Sequence, residues 1–365
     1  TESGEVVSVN YTGPQCHRTG TAVLPSSEDN NTLRCYPQYW TPPGQTSPQL
    51  DWFNKFVVNS VTTQDPTADG LPVQTSYKYV GDPAWHFADD PLTQAKYRTW
   101  NQWRGYGTVE TRTGTAPAAI TLSRETFFRG MDGDKTSTGT RSVTLNDTAD
   151  DDPQKDSDWL AGQTFEAQSY NGDGGALLSD GVTDPWSSAA TATQSRTKAG
   201  LDPLVARRTN IQRARTVTTK ADGTKRTTEI DYTIDATTGL PKAVDDQGDT
   251  ATSTDDKCTR TWYATDASGN LLPIPRRVQE VAVSCSATPK YPQDVLSDDL
   301  TFFDGSTDNT ATPTKGDVTM VQKADSVAAD GTPHYITALK NTYDSYGREL
   351  TETDADGHVT TTAYT

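Results

Sequence analysis

The chain is 365 residues long and carries 49 acidic against 32 basic side chains, which gives a formal net charge of −17. This surplus argues against nucleic-acid binding, which needs a basic face to displace phosphate counterions, and against docking on anionic lipid. No run of about 18 apolar residues is present, so membrane insertion is not expected. The chain begins at Thr1 without an apolar leader, so a signal peptide is expected to be absent or removed.

The composition favours a folded β protein with a thin apolar core. Only 32% of the residues are hydrophobic, which together with high net charge is common in disordered chains. The 15 Tyr, 8 Trp and 8 Phe argue against disorder, because disordered segments are poor in aromatic residues. Most segments are rich in Thr and Val and alternate with period two, as half-buried strands do. We therefore predict an all-β fold built on a curved, mostly antiparallel sheet.

Four cysteines lie in two pairs along the chain, Cys16 with Cys35 and Cys258 with Cys285. Three pairings are possible, and sequence proximity favours these two. Each bridge closes a loop of roughly 20 to 30 residues, worth about 3 kcal/mol in the chain-entropy model. The alternative is four free buried thiols in a cytosolic protein. The even count favours disulfides and hence a secreted or cell-surface location. A zinc site is not expected, because no Cys-x-x-Cys is present and the histidines are scattered.

The first half of the chain offers one short helix candidate and one aromatic cluster. The helix candidate is Leu92 to Trp103. The cluster consists of Trp85, Trp100, Trp103 and Tyr106. These rings are candidates for a sugar-stacking platform, although packing within the sheet is the favoured interpretation because aromatic residues dominate so lean a core.

Several polar segments admit a structural and a functional interpretation. Asp132 to Asp134 and Asn171 to Gly175 could offer oxygen ligands to calcium, but neither is a complete binding loop and turn chemistry accounts for both. The acidic stretch Asp147 to Asp158 and the polar stretch Ser187 to Gly200 are predicted to be surface loops. No metal or cofactor is expected.

Two segments of the second half, a hairpin and a single strand, are clearly predicted. Arg213 to Thr233 is predicted to form a hairpin around Asp222-Gly223, because Asp-Gly supplies the positive φ of a tight turn. Arg276 to Cys285 is predicted to be a strand on which Val281, Val283 and Cys285 share the inward face.

The C-terminal end contains an internal repeat. Tyr343 to Tyr364 alternates three strands with two Asp-x-x-Gly turns, Asp344 to Gly347 and Asp354 to Gly357. In such turns the Asp side chain accepts bonds from turn N–H groups, and Gly adopts the left-handed conformation. Looser copies are Asp235 to Gly239 and Asp266 to Gly269.

This repeat resembles the YD repeat of RHS (rearrangement hotspot) proteins. Three further segments are similar to parts of the same large bacterial proteins: Trp103-Arg-Gly-Tyr-Gly-Thr-Val-Glu110, Phe127-Phe-Arg-Gly-Met-Asp-Gly-Asp134 and Thr301-Phe-Phe-Asp-Gly305. The resemblance extends from about Val57 to the end of the chain. It divides the chain into an N-terminal segment (1–51) that is stapled by a disulfide and packs on the remainder, a degenerate repeat region (52–338) and a YD repeat (339–365) that continues beyond the chain.

The resemblance implies a hollow shell. In RHS proteins, in the B and C components of insecticidal toxin complexes and in teneurins, such repeats wind a long β-sheet into a cocoon. In toxin members the cocoon encloses a C-terminal effector. The implied function is that of a non-catalytic shell segment of a secreted protein, with the rest of the shell and an effector domain as its partners.

This chain departs from the toxin pattern because it stops at Thr365 without the self-cleaving core or an effector. Six Asp-Pro pairs occur, and all six are predicted to be turn elements: Asp65-Pro66, Asp82-Pro83, Asp90-Pro91, Asp152-Pro153, Asp184-Pro185 and Asp202-Pro203. Only the last begins like the family's cleavage motif, and the Gly-Leu that should follow is missing. Sequence signatures of known catalytic sites are absent. We therefore expect no enzymatic activity and keep an extracellular module that binds carbohydrate or a partner as the alternative.

Overall fold

The computed structural model describes residues 4–21, 23–65, 70–148, 152–265 and 273–365. These residues are nearly all β, with three short 3-10 turns at Ala95–Tyr97, Asp158–Leu160 and Thr197–Ala199. The strands are β1 (Val6–Tyr11), β2 (Cys35–Trp40), β3 (Gln49–Asn54), β4 (Val58–Gln64), β5 (Val73–His86), β6 (Gln102–Thr113), β7 (Thr121–Phe127), β8 (Thr144–Leu145), β9 (Gln154–Lys155), β10 (Thr164–Tyr170), β11 (Leu177–Ser187), β12 (Ala192–Gln194), β13 (Leu204–Ala206), β14 (Thr209–Thr219), β15 (Lys225–Ile234), β16 (Pro241–Asp249), β17 (Lys257–Ala264), β18 (Ile274–Val281), β19 (Val295–Phe303), β20 (Val318–Val327), β21 (Pro333–Tyr343), β22 (Glu349–Asp354) and β23 (Val359–Thr361).

The chain divides into two compact units. Unit 1 holds the residues up to Thr209 together with Thr216–Lys225, and unit 2 holds Asn210–Arg215 and Arg226–Thr365. The described part of the chain contains no helix long and apolar enough to span a membrane.

Unit 1 is built on an antiparallel sheet in which β1, β4, β5, β6, β7, β10 and β11 follow one another as neighbours. Three two-stranded ribbons accompany it, β2 with β3, β8 with β9 and β12 with β13. Its apolar core is thin and includes the cluster of Phe128, Leu160, Phe165 and Val182. A core of this size agrees with the low apolar fraction of the sequence.

Unit 2 is an antiparallel meander in which every strand from β15 to β23 pairs with the next one along the chain. Short turns suffice for this topology, since consecutive antiparallel strands need no crossover. The described residues of both units confirm the predicted all-β, antiparallel fold.

Both disulfides form with the pairing that sequence proximity favours. Cys16 and Cys35 are joined in unit 1 with a Cα–Cα distance of 6.1 Å, and Cys258 and Cys285 in unit 2 with a distance of 4.8 Å. Cys35 and Cys258 are fully buried. Each bridge therefore lies within one unit.

The structure contradicts the predicted helix at Leu92 to Trp103. Only the 3-10 turn Ala95–Tyr97 is helical, and β6 begins at Gln102. The polar groups of Thr99 bond outside the segment: its hydroxyl donates to the Pro37 carbonyl at 2.5 Å, and its carbonyl accepts the Ala88 N–H at 2.8 Å. These contacts hold the segment in an extended conformation, which is incompatible with the backbone hydrogen bonds of an α-helix.

The strand predicted to reach Cys285 ends earlier, at Val281. Asp245 causes the change of direction, because its carboxylate accepts the Cys285 N–H at 2.9 Å and the Ser284 hydroxyl at 2.9 Å. Cys258 lies directly opposite Val281 in the ladder between β17 and β18. The disulfide is thus reached through a turn after the strand and not along an inward strand face.

Two other predictions about irregular segments need correction. The stretch Asp147 to Asp158 is not a weakly ordered loop throughout, because Asp147 and Asp156 are buried.

Two of the Asp-Pro pairs, Asp82-Pro83 and Asp184-Pro185, lie within β5 and β11 and not in turns. At the first of them the β5–β6 register shifts, and such a bulge accommodates a residue without an N–H. Asp65-Pro66 extends outside the described residues.

Candidate functional site

The two C-terminal turns are built in the same way. The Asp344 carboxylate accepts the Tyr346 and Arg348 N–H groups at 2.8 and 3.0 Å. The Asp354 carboxylate accepts the Asp356 and His358 N–H groups, both at 2.9 Å. The glycine in each turn, Gly347 or Gly357, has a φ of 76° or 87°. Both turns therefore have the geometry that the sequence repeat predicts.

The same carboxylate cap recurs at other turns of the chain. In each, one carboxylate oxygen accepts the N–H of a residue two positions further on. The capping residues include Asp222, Asp235, Asp308 and Asp330. The copy predicted at Asp266 to Gly269 lies outside the described residues.

Hydrogen bonding in these turns favours the ionised carboxylate. The backbone N–H and the ring of His358 lower the pKa of Asp354 below its ordinary value of 3.8. Desolvation acts in the opposite direction at Asp344, yet the bonds from Arg348 and Tyr346 leave its pKa lowered as well. The caps are thus fully formed at neutral pH.

A second repeated contact joins neighbouring strands through tyrosine hydroxyl groups. Each of these hydroxyls donates to the carbonyl of the first residue of the preceding strand in the sheet. The pairs are Tyr79 to Val58 at 2.7 Å, Tyr263 to Pro241 at 2.8 Å, Tyr343 to Val318 at 2.9 Å and Tyr364 to Glu349 at 2.8 Å. We call these contacts tyrosine clips. They occur in both units, so the repeat is a property of the fold as well as of the C-terminal sequence.

Two further aspartates hold irregular loops through several backbone N–H groups. Asp304, in the segment Thr301 to Gly305, accepts the N–H groups of residues 314–317 at 2.6 to 3.1 Å. Asp156, which is 1% exposed, accepts the N–H groups of residues 129–131 at 2.6 to 3.1 Å. Sequence reasoning missed Asp156, because the groups that it binds lie more than 20 residues away.

A buried carboxyl pair lies on β10 and β11 of unit 1. The Thr148 hydroxyl is 2.6 Å from a Glu166 carboxylate oxygen and 2.7 Å from an Asp180 oxygen, and the Gln168 amide donates to it at 3.0 Å. A hydroxyl has one hydrogen to donate. One of the two short contacts therefore requires a proton on a carboxyl group.

Burial supports the same conclusion. Desolvation raises the pKa of Glu166, the bonds from Thr148 lower it, and the charges of Asp180 and Asp147 raise it further, so that the net direction is upward. The geometry and the burial thus both favour the protonated form of Glu166.

The aromatic cluster, for which packing was the favoured interpretation and sugar stacking the alternative, lies largely in the packed interior of unit 1. Trp85 is 3% exposed and Tyr106 is 8% exposed. The Trp103 ring lies 4.8 Å from Trp85 and 6.0 Å from Tyr106. Trp100 is separate from them and packs on Phe87 at 4.9 Å. The structure thus brings three of the four rings together, and two of these are too deeply buried to stack on a sugar.

A different pair of tryptophans lines a surface cavity of unit 1. Trp159 is 44% exposed, and the Arg207 guanidinium lies 4.5 Å from the centre of its ring. The cavity has a volume of about 230 Å³ and is also lined by Gln154 and Trp186. Sequence reasoning missed this site, because Trp159 stands in a segment dominated by acidic and polar residues.

Protein groups already occupy the calcium candidates. Asp132 accepts the Val143 N–H at 2.9 Å, and Asp134 accepts the Phe87 N–H at 2.9 Å and pairs with Arg141 at 3.1 Å. Asp173 pairs with Arg112 at 2.9 Å. Within the described residues, no group of three or more potential ligands is suited to hold a metal ion.

The comparisons with known proteins identify a shared fold. No protein-family model and none of the curated proteins matches the chain. Among solved structures it is similar to the crystal structure of TcdB2-TccC3, with a TM-score of 0.54 and 12% identity over 83% of this chain. It is also similar to the crystal structure of TcdB2-TccC3-TEV, with a TM-score of 0.55 and 11% identity over 88% of this chain. It spans 20% of the length of each of those chains.

Proposed function

We propose that this chain is a non-catalytic segment of the β-sheet shell of a secreted RHS-repeat protein, which encapsulates or presents a C-terminal effector. The observation that carries the proposal is the repeated unit of strand, aspartate-capped turn and tyrosine clip, found at Tyr343 to Gly347. Because each unit adds one strand to the sheet in the same way, repetition of the unit can build the long sheet that a shell requires.

The likeness in fold supports this role. The chain resembles about one fifth of the chain in each of the two toxin-complex structures. A segment of that size encloses nothing alone, so its partners are the remainder of the same shell and the effector. The two disulfides are compatible with an extracellular location.

Protease protection in the full-length protein tests encapsulation. We expect the region downstream of the shell to resist digestion in the intact protein and to be degraded rapidly when it is produced without the shell. Circular dichroism of both proteins controls for general unfolding. Equal digestion in the two proteins would contradict encapsulation.

The absence of catalysis is tested separately by intact-mass spectrometry of the purified chain after several days at neutral pH. We expect a single unchanged mass. Discrete truncation at one of the Asp-Pro bonds, abolished by changing that Asp to Ala, would identify a processing enzyme instead.

Glycan binding is the second candidate function, and the exposed ring of Trp159 favours it. Tryptophan faces are common platforms for apolar sugar faces, and Gln154 offers polar groups beside the ring. A glycan array on the purified chain is the test. We expect a positive signal to disappear in Trp159→Ala and to persist in Trp40→Ala, a control at another exposed tryptophan.

A further inference from the structure

A cavity on one face of the unit 1 sheet gathers most of its charge on three neighbouring strands. It has a volume of about 280 Å³. Lys78 on β5 lies opposite Glu110 on β6, which lies opposite Arg124 on β7. Directly opposed residues point to the same face of a sheet, so these three side chains form one row.

The ion pairs around this cavity leave one positive charge over. Glu110 uses one carboxylate oxygen to bind Lys78 at 3.2 Å and Arg112 at 3.0 Å. Arg112 also pairs with Asp173 at 2.9 Å. The carboxylates of Glu110 and Asp173 are thus paired with Lys78 and Arg112, and neither of them pairs with Arg124.

The side chain of Arg124 makes no hydrogen bond and no ion pair with any residue in the described ranges, although its backbone is part of the sheet. Both of its cross-strand neighbours are engaged elsewhere: Glu110 as above, and Gln168 through its amide nitrogen with Thr148 and through its oxygen with the Tyr170 hydroxyl. The cavity therefore carries three cations against two anions, in a protein whose net charge is −17.

The rest of the lining is suited to a ring-shaped polar ligand. Leu122 and the half-buried Tyr170 supply an apolar surface, and Gly174 and Gly175 of the loop between β10 and β11 complete the lining. Charged groups around this surface can bond to hydroxyls. A volume of about 280 Å³ admits one sugar ring rather than a chain of several.

We infer that this cavity binds a carboxylate-bearing sugar, a hexuronate residue, with Arg124 as the partner of its carboxylate. A guanidinium presents paired N–H groups that match a carboxylate. The single surplus charge matches a monoanion, and the apolar surface matches a pyranose face. The assignment is independent of the shell function and of the cavity beside Trp159.

Titration calorimetry with the whole chain tests the inference. The ligands are D-glucuronate, its uncharged methyl ester and inorganic phosphate. We expect glucuronate to bind at least about tenfold more tightly than the ester, which corresponds to about 1.4 kcal/mol. Equal binding of acid and ester, no measurable binding of glucuronate, or binding of phosphate as tight as that of glucuronate would each overturn it. These comparisons use the unaltered protein and do not depend on the folding of a variant.

Variants then locate the site. Arg124→Gln is expected to abolish the preference for the acid over the ester, whereas Arg208→Gln, at an exposed arginine of the same unit outside the cavity, retains it. N-acetylglutamate serves as a peptide-like carboxylate without a sugar ring. Binding of this compound as tight as that of glucuronate would assign the site to an acidic polypeptide and contradict the sugar.

Discussion

Single aspartate side chains hold irregular backbone segments in place by accepting several backbone N–H groups. Asp304 is the clearest case, because it has a φ of 55° and collects the N–H groups of four successive residues. Burial raises the pKa of its carboxyl, yet the bonds from residues 314–317 leave that pKa lowered from 3.8. Its contribution to stability is therefore present above pH 3.8 and is lost as the pH falls through the lower, folded-state pKa.

Asp304→Gly is expected to destabilise unit 2 by about 2 kcal/mol, the usual size of a lost set of bonds to a charged acceptor. Glycine tolerates the positive φ, so this substitution isolates the carboxylate from backbone strain. Asp304→Asn is the matched comparison, because it tolerates that φ and retains one of the two acceptor oxygens, so we expect a loss smaller than that of the glycine variant. Denaturant unfolding measures both variants. Equal stability of the glycine variant and the parent protein would show that the four N–H groups find water instead.

Glu166 has the opposite pH dependence. Its folded-state pKa lies above its ordinary value of 4.5, so the stability that it contributes is present below that pH and is lost as the pH rises through the folded pKa. We predict that Glu166→Gln raises the melting temperature of unit 1 at about pH 8 and has little effect at about pH 5. Glu352→Gln, at an exposed position of unit 2, is the control. The same change at both pH values would contradict a shared proton.

At the scale of the element, the turn glycines test the repeat. Gly357 has a φ of 87° and no atom within 4 Å of the place that a Cβ would occupy. Any cost of substitution there is therefore conformational and not steric. Gly357→Val is expected to cost about 2 kcal/mol, since a β-branched residue disfavours the left-handed region. Gly357→Asn is expected to cost less than half as much. Thermal melts followed by circular dichroism give both values, and equal losses would contradict the explanation.

The elements differ in how far they can be predicted from sequence. The Asp-x-x-Gly turns and the hairpin at Asp222-Gly223 were predictable, because each is determined by about five consecutive residues. The helix at Leu92 to Trp103 was predicted wrongly, since Thr99 bonds to Pro37, a partner 62 residues away. The end of β18 was also missed, because Asp245 on another strand causes the turn.

Candidate sites were less predictable than turns for a related reason. Trp85 and Trp103 are in contact, but nothing in the sequence shows that Trp85 is buried or that Trp100 packs elsewhere, on Phe87. The Arg124 cavity depends on the register of three neighbouring strands, and a shift of one residue would turn Arg124 to the other face. Sequence patterns do not determine such a register when both faces carry polar residues.

For the whole molecule, the disulfides offer one independent probe for each unit. Replacing Cys258 and Cys285 by Ser is expected to destabilise unit 2 by about 3 kcal/mol and to leave unit 1 unchanged. The reciprocal variant at Cys16 and Cys35 is the control. Hydrogen exchange followed by mass spectrometry assigns the loss to one unit or the other. Equal loss of protection in both units after either change would show that they unfold as one.

The tyrosine clips have a mechanical consequence. When a hairpin is pulled apart from its open end, its inter-strand hydrogen bonds normally break one pair at a time. Here the Tyr343 hydroxyl holds the first carbonyl of β20, so the end of one strand is fastened to the beginning of its neighbour. Tyr364 repeats the fastening between the end of the chain and β22. Under tension along the chain, β21 would therefore detach from β20, and the C-terminal end from β22, each as one step once the tyrosine bond breaks.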